Sequence, residues 1–363
     1  MVLYIQRQNK NLTFIVKGAI IFIEIEKEVK ELHNFIMVIG LPASGKSTFI
    51  EKLINSDKKK EWVVLSSDKI REELYGNESV QGKPQEVFAL MEKRLRYNLS
   101  QNKANIIYDA TNILSKHRRH ILSIVKQNKE YMRNAVIIGT TFEQCLKNNQ
   151  DRADKGGRFV PPEVINKMYH QYEPPHTFEG FNRIEVYYPF IKPYLHIEDT
   201  IKEAKKISHD CEPYHHYSIG THMNRASKMA KTDIKKGKLD TLFFDEYADY
   251  YKSILPTILL FHDIGKIKTK TFFDKKGNVS EKAHYYCHSN IGAYDYMFYI
   301  KGTEYDATKN YFDYNIAAAI AYHMYPYQWK EEKTKEKYYK LWGFRFYNLI
   351  KAVNIYDLKS EEN

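Results

Sequence analysis

The pattern of hydrophobic and polar positions changes character along the chain. In the first half, short apolar runs recur between stretches of helical spacing: Phe35 to Ile39, Trp62-Val63-Val64-Leu65-Ser66, Ala104 to Tyr108 and Ala135 to Thr140. Runs of that length separated by helical patterns predict a parallel, doubly wound α/β sheet flanked by helices. Polar residues cluster at the carboxyl ends of the runs, with Ser67-Asp68 after the second, Asp109-Ala110-Thr111-Asn112 after the third and Thr141 after the fourth. In open α/β sheets that edge is where ligands bind. The second half, from about residue 212, is dominated by helical patterns and predicts an all-α bundle. Between the halves, the polar, Lys-rich stretch 196–211 contains no glycine and predicts a connecting helix. Residues 1–35 are the least legible part. Leu12 to Glu26 is apolar but interrupted by Lys17, and Phe22-Ile23-Glu24-Ile25-Glu26 alternates as a strand does. A membrane span needs about 20 consecutive apolar residues, so this extension reads as an edge strand or a poorly ordered segment.

Composition adds three constraints. At 363 residues the chain exceeds the size at which one core stops growing, and two domains are expected, 36–195 and 212–363. A formal net charge of +11 favours polyanionic partners such as nucleic acid, although genomes of low GC content also enrich lysine without any binding reason. Three widely separated cysteines, Cys145, Cys211 and Cys287, exclude a disulfide framework and a paired-cysteine metal site, and suit a reduced, cytoplasmic protein.

The first candidate site follows the Phe35 to Ile39 run. Gly40-Leu41-Pro42-Ala43-Ser44-Gly45-Lys46-Ser47-Thr48 places a Gly-x-x-x-x-Gly-Lys-Ser turn between a strand and a helix, which is the setting of a phosphate-binding P-loop. Backbone N–H groups of such a turn accept nucleotide phosphates, Lys46 would reach the β and γ phosphates of ATP, and Ser47 would hold Mg²⁺. Asp109 faces the turn from a neighbouring strand end, where a carboxylate orders Mg²⁺ or its waters. Asp68 and Arg71 lie three apart at the start of a helix. A carboxylate there can accept the proton of an attacking hydroxyl and an arginine can clamp an acceptor phosphate; the structural alternative is an N-cap and a surface arginine. Arg152 and Arg158 flank glycines in Asn149 to Pro162, which suits a lid closing on the transferring phosphate or else a solvated loop.

These motifs, with Glu173-Pro174-Pro175 and Glu179-Gly180-Phe181, resemble in order the kinase domain of phage-type polynucleotide 5'-kinases over about residues 36–195. The resemblance implies that Asp68 is the general base for a 5'-hydroxyl and that Arg71 contacts the acceptor's 3'-phosphate. Small-molecule and seryl-tRNA kinases share much of this pattern. The lid differs in length from the phage enzymes, so the division of labour between Arg152 and Arg158 is open.

A second constellation begins after residue 212. His222, His262-Asp263, His288, His323 and Asp357 lie on separate helical patterns and converge only in a folded bundle. Imidazole plus carboxylate is a ligand set for one or two divalent transition metals such as Mn²⁺. Lys266, one turn beyond His262, would steady a substrate phosphate or merely cover the helix surface. The strings YSIGTHMNRASKMA, LLFHDIGK, HYYCHSNIGA, IAAAIAYHM and LIKAVNIYDL resemble, in order, the HD phosphohydrolase superfamily over about residues 212–363, with Asn354 a competitor for the place of Asp357. That superfamily hydrolyses phosphomonoesters, cyclic phosphates and nucleotide phosphates in an α-helical metal site.

Together the resemblances imply an end-healing enzyme of nucleic acid, probed by RNA or DNA ends bearing a 5'-hydroxyl and a 3'-phosphate or 2',3'-cyclic phosphate, and coupled in function to a ligase, with no membrane partner. Two other readings stay open: a small-molecule or tRNA-modifying kinase fused to a nucleotidase, and an ATP-switched nucleotide sensor.

Overall fold

The computed structural model describes residues 5–8, 11–16, 19–24, 32–80, 82–189, 195–211, 216–300 and 312–362. The chain divides into two compact units, Met1–Leu32 and His33–Asn363. In the first, β1 (Ile5–Gln8), β2 (Asn11–Val16) and β3 (Ala19–Glu24) form an antiparallel meander in register Gln8 to Asn11 and Val16 to Ala19. The alternating stretch expected as an edge strand therefore pairs within a three-stranded sheet of its own, its last residues Ile25 and Glu26 lying outside the described residues.

The second unit starts with β4 (His33–Ile39), α1 (Lys46–Ser56), β5 (Trp62–Ser66), α2 (Ser67–Tyr75), α3 (Pro84–Gln101), β6 (Asn105–Asp109), α4 (Ser115–Val125), β7 (Tyr131–Ile138), α5 (Phe142–Asp154), α6 (Pro162–His170) and β8 (Arg183–Tyr187). The strands form one parallel sheet in the order β5-β6-β4-β7-β8. Side chains of β4 alternate between two cores: Phe35, Met37 and Ile39 meet Val87, Met91 and Leu95 of α3 on one face, and Ile36 and Val38 meet Ile50 of α1 on the other. From β4 the chain runs out to β5, returns to β6, then crosses to β7 on the opposite side. The crevice at the carboxyl end of β4 is the topological switch point of the sheet. The edge strand β8 carries no apolar run, and so its sequence gives no strand signal.

The rest comprises β9 (Leu195–His196), α7 (Ile197–Ala204), α8 (Ile219–Lys235), α9 (Ala248–Phe261), α10 (Lys266–Thr269), β10 (Lys270–Phe273), β11 (Val279–Tyr285), α11 (His288–Asp295), β12 (Tyr299–Ile300), α12 (Tyr314–Tyr322) and α13 (Glu332–Lys359). Their common core includes Met223, Leu255, Leu259, Ile320 and Leu349. Two sequence expectations need correction. The stretch 196–211 is helical only over α7, which buries Ile197, Ile201 and Ala204 in that core instead of bridging solvent. Gly220 makes this docking possible, since a Cβ there would stand 2.5 Å from the Lys205 backbone nitrogen. Nor is this half purely helical, because β10 and β11 form an antiparallel ribbon closed by Asp274 to Asn278, with Gly277 at φ +88°. Among the described residues no helix is long and apolar enough to cross a membrane.

The halves also share side chains, since Ile291, Tyr294, Met297 and Phe298 complete the core that Phe35, Tyr131 and Tyr172 begin. Within the sheet half, the fully buried Arg118 donates from Nε and Nη2 to the two carboxylate oxygens of Glu179 at 2.8 and 2.7 Å, and to the carbonyls of Asn112 and Pro174. Ser115 N, at the start of α4, donates to Glu173. The Glu-Pro-Pro and Glu-Gly-Phe motifs thus pin α4 to the carboxyl end of β6. Glu179→Ala, which strands a buried guanidinium, is expected to cost about 3–5 kcal/mol, read as a fall in the urea midpoint. The Arg118→Met, Glu179→Leu double variant should recover much of that loss.

Candidate functional site

The turn after β4 has the geometry of a phosphate cradle. Ala43 and Gly45 both adopt positive φ, +58° and +97°, and α1 starts at Lys46 with no side chain capping its first amides. Such an N-terminus, with its N–H groups and dipole, is suited to an anion. Gly40 lets the turn close, because a Cβ there would lie 2.7 Å from Ser44 Oγ. Outside supports fix the loop: Thr140 Oγ1 donates to the Ser44 carbonyl at 2.7 Å and Asn148 Nδ2 to that of Ala43 at 3.0 Å. Ser47 and Thr48 are exposed at the mouth of the turn. Lys46 Nζ donates to the carbonyls of Gly40 and Leu41 at 3.1 and 2.8 Å. Burial lowers its pKa, opposed chiefly by Asp109. Burial likewise raises the Asp109 carboxyl, opposed by Lys46 and by a hydrogen bond from Ser66. Each is thus the leading opposite charge felt by the other.

Asp68, in the first turn of α2, is held on both sides. Its Oδ1 lies 2.6 Å from Arg71 Nη1 and its Oδ2 2.6 Å from Arg158 Nη1. Arg71 is buried, not on the surface, and Asp68 makes no side-chain cap of its helix. The basic segment is folded more tightly than its sequence suggests. Arg152 belongs to the last turn of α5, Gly157 N donates back to its carbonyl at 2.9 Å, and Asn149 binds both backbone groups of Val160. Burial, together with Arg158, lowers the Arg152 pKa.

The second site gathers residues from five helices and their ends. His222 comes from α8, His262 and Asp263 follow α9, His288 starts α11, His323 ends α12 and Asp357 lies in α13. Two donor groups result, His222, His262, Asp263 and Asp357 in one and Asp263, His288 and His323 in the other, with Asp263 common to both. Asp263 Oδ2 lies 3.5 and 3.4 Å from the Nε2 atoms of His222 and His262, and Oδ1 lies 3.3 and 3.5 Å from those of His288 and His323. The remaining ring nitrogens fix the tautomers. Nδ1 of His262, His288 and His323 stands 2.7–2.8 Å from the carbonyls of Leu259, Tyr285 and Ile320, which can only accept. Each Nδ1 thus carries the proton, and each Nε2 turns its lone pair inward. His222 Nδ1 is held by Glu361 at 2.7 Å and Ser360 Oγ at 2.8 Å.

Pairs of Nε2 atoms meet at 3.1 Å (His222 and His262) and 3.3 Å (His288 and His323), with carboxylates beside them. Facing lone pairs and buried carboxylates create a demand for positive charge, and the donor set fits one or two divalent cations. The His222 pKa reflects the same demand: burial lowers it, but Asp357, Glu361 and Asp263 outweigh burial and raise it to about 9. Burial also works against the charge on Asp263, yet Lys266 and His262 hold it well below the carboxylate range. Lys266 does not cover the helix surface; it is buried, with Nζ 2.7 Å from Asp263 Oδ2. Of the two α13 candidates, Asp357 is the one within hydrogen-bonding reach of a ligand imidazole, its Oδ1 lying 3.0 Å from His222 Nε2.

Four neighbours of this site escape sequence reasoning. His209, 1% exposed, donates from Nδ1 to the Tyr217 carbonyl at 2.7 Å, accepts at Nε2 from Lys266 Nζ at 3.3 Å and rests edge-on against His222. Tyr327 donates to Asp357 Oδ2 at 2.8 Å, and Ser360 and Glu361 hold His222. None sits in a recognisable spacing, and only the tertiary fold brings them in.

Residues 35–175 match the model of a family described as AAA domain. No curated protein matches the chain. Among solved structures, it is similar to a chain of the Pnkp1/Rnl/Hen1 RNA repair complex at 22% identity, covering 40% of this chain and 46% of that one with a TM-score of 0.36. It is also similar to a fungal RNA kinase at 15% identity, covering 42% and 74% with a TM-score of 0.30, and to a gluconokinase from Sinorhizobium meliloti at 14%, covering 44% and 83% with a TM-score of 0.30. The chain thus spans less than half the length of the first of these.

The donor geometry generates a metal-binding prediction. Titration calorimetry with Mn²⁺ on chelator-stripped protein should find two ions per chain. His323→Ala should abolish only one of them, and Glu361→Ala, which removes an outer hydrogen-bond acceptor from His222 Nδ1, should weaken binding about 10–100-fold. Absence of uptake by the parent protein would remove the metal reading.

Proposed function

We propose that this chain is a two-centre enzyme that heals nucleic-acid ends, RNA above all. Its P-loop centre transfers the γ-phosphoryl group of ATP to a 5'-hydroxyl, and its His/Asp centre removes a 3'-phosphate or opens a 2',3'-cyclic phosphate. The observation that carries the reading is the presence, in one compact unit, of a phosphate cradle beside a carboxylate flanked by two arginines and of a separate donor set for two cations around one shared carboxylate. The first arrangement suits transfer to an acceptor, the second hydrolysis. The motif order that resembles phage-type polynucleotide kinases and the HD superfamily supports the same assignment.

At the P-loop centre, the amides of 40–48 would bind the phosphates and Ser47 with Asp109 would hold Mg²⁺. Asp68 would take the proton of the attacking hydroxyl; its oxygen bonds to the γ-phosphorus as the bond to the β–γ bridging oxygen breaks and ADP departs. Lys46, Arg152 and Arg158 would offset charge on the phosphoryl group in transit, and Arg71 would hold an acceptor phosphate. At the second centre, His222, His262, Asp263, His288, His323 and Asp357 would hold the cations, which supply Lewis acidity toward phosphate oxygens and lower the pKa of coordinated water. Lys266 would orient Asp263 and add a positive charge beside the phosphate. The resulting 5'-phosphate and 3'-hydroxyl are the ends that a ligase joins.

A short RNA with a 5'-hydroxyl and a 3'-phosphate, incubated with γ-labelled ATP, Mg²⁺ and Mn²⁺, tests both centres. Lys46→Ala should lower 5' labelling by about 10²–10³-fold and leave 3'-phosphate release intact, whereas Asp263→Ala should do the reverse. RNA recovered unchanged at both ends while a nucleoside or sugar is phosphorylated would replace this reading with the small-molecule kinase.

A further inference from the structure

The six cluster residues differ in what holds them from outside. His262, His288 and His323 rest on backbone carbonyls, and Asp263 on the buried Lys266. Asp357, itself 4% exposed, is held by a side chain that reaches solvent: the Tyr327 hydroxyl donates to its Oδ2 at 2.8 Å, while Tyr327 as a whole is 44% exposed. Tyr327 stands in a 3₁₀ turn, Tyr325–Gln328, shortly after His323. The turn is anchored on both sides of it. Tyr325 meets Tyr338 and Trp342 with ring centres 5.3 and 5.7 Å away, and Trp329 stacks on Tyr347 at 4.6 Å and 7°. Trp329 N also donates to the Pro326 carbonyl at 3.0 Å. Both anchoring rings pack against the helical core. The place of Tyr327 is therefore set by its neighbours and not by burial of its own ring.

A ring left in solvent gains little from the hydrophobic effect, so the hydroxyl is what this position contributes. Its use follows from the carboxylate that it meets. The terminal torsion of an aspartate is broad and close to two-fold, and an unrestrained Asp357 would exchange its two oxygens. In the structure those oxygens have separate surroundings. Oδ1 lies 3.0 and 3.3 Å from the Nε2 atoms of His222 and His262, inside the first donor group, and Oδ2 receives the phenol. A carboxylate can only accept, so the phenol is the donor and Oδ2 is the oxygen that it occupies. Outer hydrogen bonds of this kind fix the orientation of a ligand and tune its affinity for a cation.

We infer that Tyr327 is a positioning residue, whose hydroxyl holds Asp357 so that Oδ1 faces the cation of the group made by His222, His262, Asp263 and Asp357. The inference deepens the proposed function and rests on the reading of the cluster as a centre for two divalent cations. It gives the segment after α12 two tasks, since His323, four residues before Tyr327, belongs to the other donor group. Asp357 belongs to the first group only. Loss of the phenol should therefore act on one ion and spare the other, whereas a turn that merely closed the bundle would show no such preference.

The test uses the full-length, chelator-stripped protein. Titration calorimetry with Mn²⁺ reads the two binding steps, and the visible absorption of the Co²⁺-loaded protein reads the ligand arrangement. Tyr327→Phe keeps the ring and removes the donor. It is expected to weaken one ion about tenfold, to leave the other unchanged and to keep the parent's melting temperature. Its Co²⁺ band should lose intensity, because a freed carboxylate offers both oxygens and raises the coordination number. Tyr327→Ala should match Tyr327→Phe in affinity, since the ring it also removes is exposed. Parent-like affinities and spectrum in Tyr327→Phe overturn the role. So does an equal loss of both ions, which marks a displaced turn, or a loss confined to Tyr327→Ala, which marks a task of the ring. No uptake by the parent overturns the metal reading and this role with it, whereas two ions in the parent beside a parent-like Tyr327→Phe overturn the role alone.

Discussion

A carboxylate that is 1% exposed must be met by positive charge or it destabilises the fold that buries it, and Asp263 places that constraint at the centre of the second half of the chain. Lys266 answers it directly at 2.7 Å, and four imidazoles surround what remains. The requirement reaches the backbone. At Gly265 a Cβ would stand 2.0 Å from the His288 carbonyl oxygen, so α11 can start beside Asp263 only because that residue has no side chain. His288 is the first residue of α11, and its position, its tautomer and its contact with Asp263 all follow from this approach. The geometry of the cluster and the packing of the bundle are one solution to one electrostatic problem.

The same helix carries the consequence to the other site. Tyr294, two turns on from His288, is buried in the core shared with the sheet, and its hydroxyl donates to the Thr140 carbonyl at 2.5 Å. Thr140 in turn donates to the Ser44 carbonyl in the phosphate-binding turn. Nearby, Asp295 accepts from Tyr169 at 2.7 Å and pairs with Lys268 at 2.8 Å, binding α11 to α6. Each of these groups would carry a desolvation cost if separated from its partner. A joint made of core side chains and satisfied buried polar groups resists hinge motion, so the two candidate centres hold fixed positions within the unit.

What could be read from sequence follows from how local each signal is. The P-loop, the strand-end Asp68 and Asp109, and the apolar runs of β4 and β5 are legible because a strand, a turn and a helix start are encoded within about ten residues. The six members of the His/Asp cluster are legible as a spaced set, since they mark five helices, with His262 and Asp263 adjacent at the end of one. The tightly folded Arg152 to Arg158 segment, the burial of Arg71 and the role of Lys266 are not, because each depends on a partner far away or on a close backbone approach. His209, Tyr327 and Glu361 are invisible for the same reason. The β10–β11 ribbon is short and exposed, its alternation blurred by lysines on both strands, and α7 looks like a linker because its buried face is only Ile197, Ile201 and Ala204.

The clamped state of Asp68 has a chemical consequence for the transfer proposed above. With Arg71 on Oδ1 and Arg158 on Oδ2, each at 2.6 Å, the carboxylate is held in one orientation, and each oxygen keeps a second lone pair for a further hydrogen bond. A phosphate competes for an arginine through the same planar, two-point geometry that holds the carboxylate. On the function proposed above, an acceptor carrying both a hydroxyl and a neighbouring phosphate would draw an arginine toward that phosphate as its hydroxyl meets the carboxylate. A water molecule beside ATP offers no such competitor, and it would leave both ion pairs in place. On that reading, the two ion pairs of Asp68 would distinguish an acceptor that carries a phosphate from water, and they would do so with the same arginines that would offset the charge of the phosphoryl group in transit.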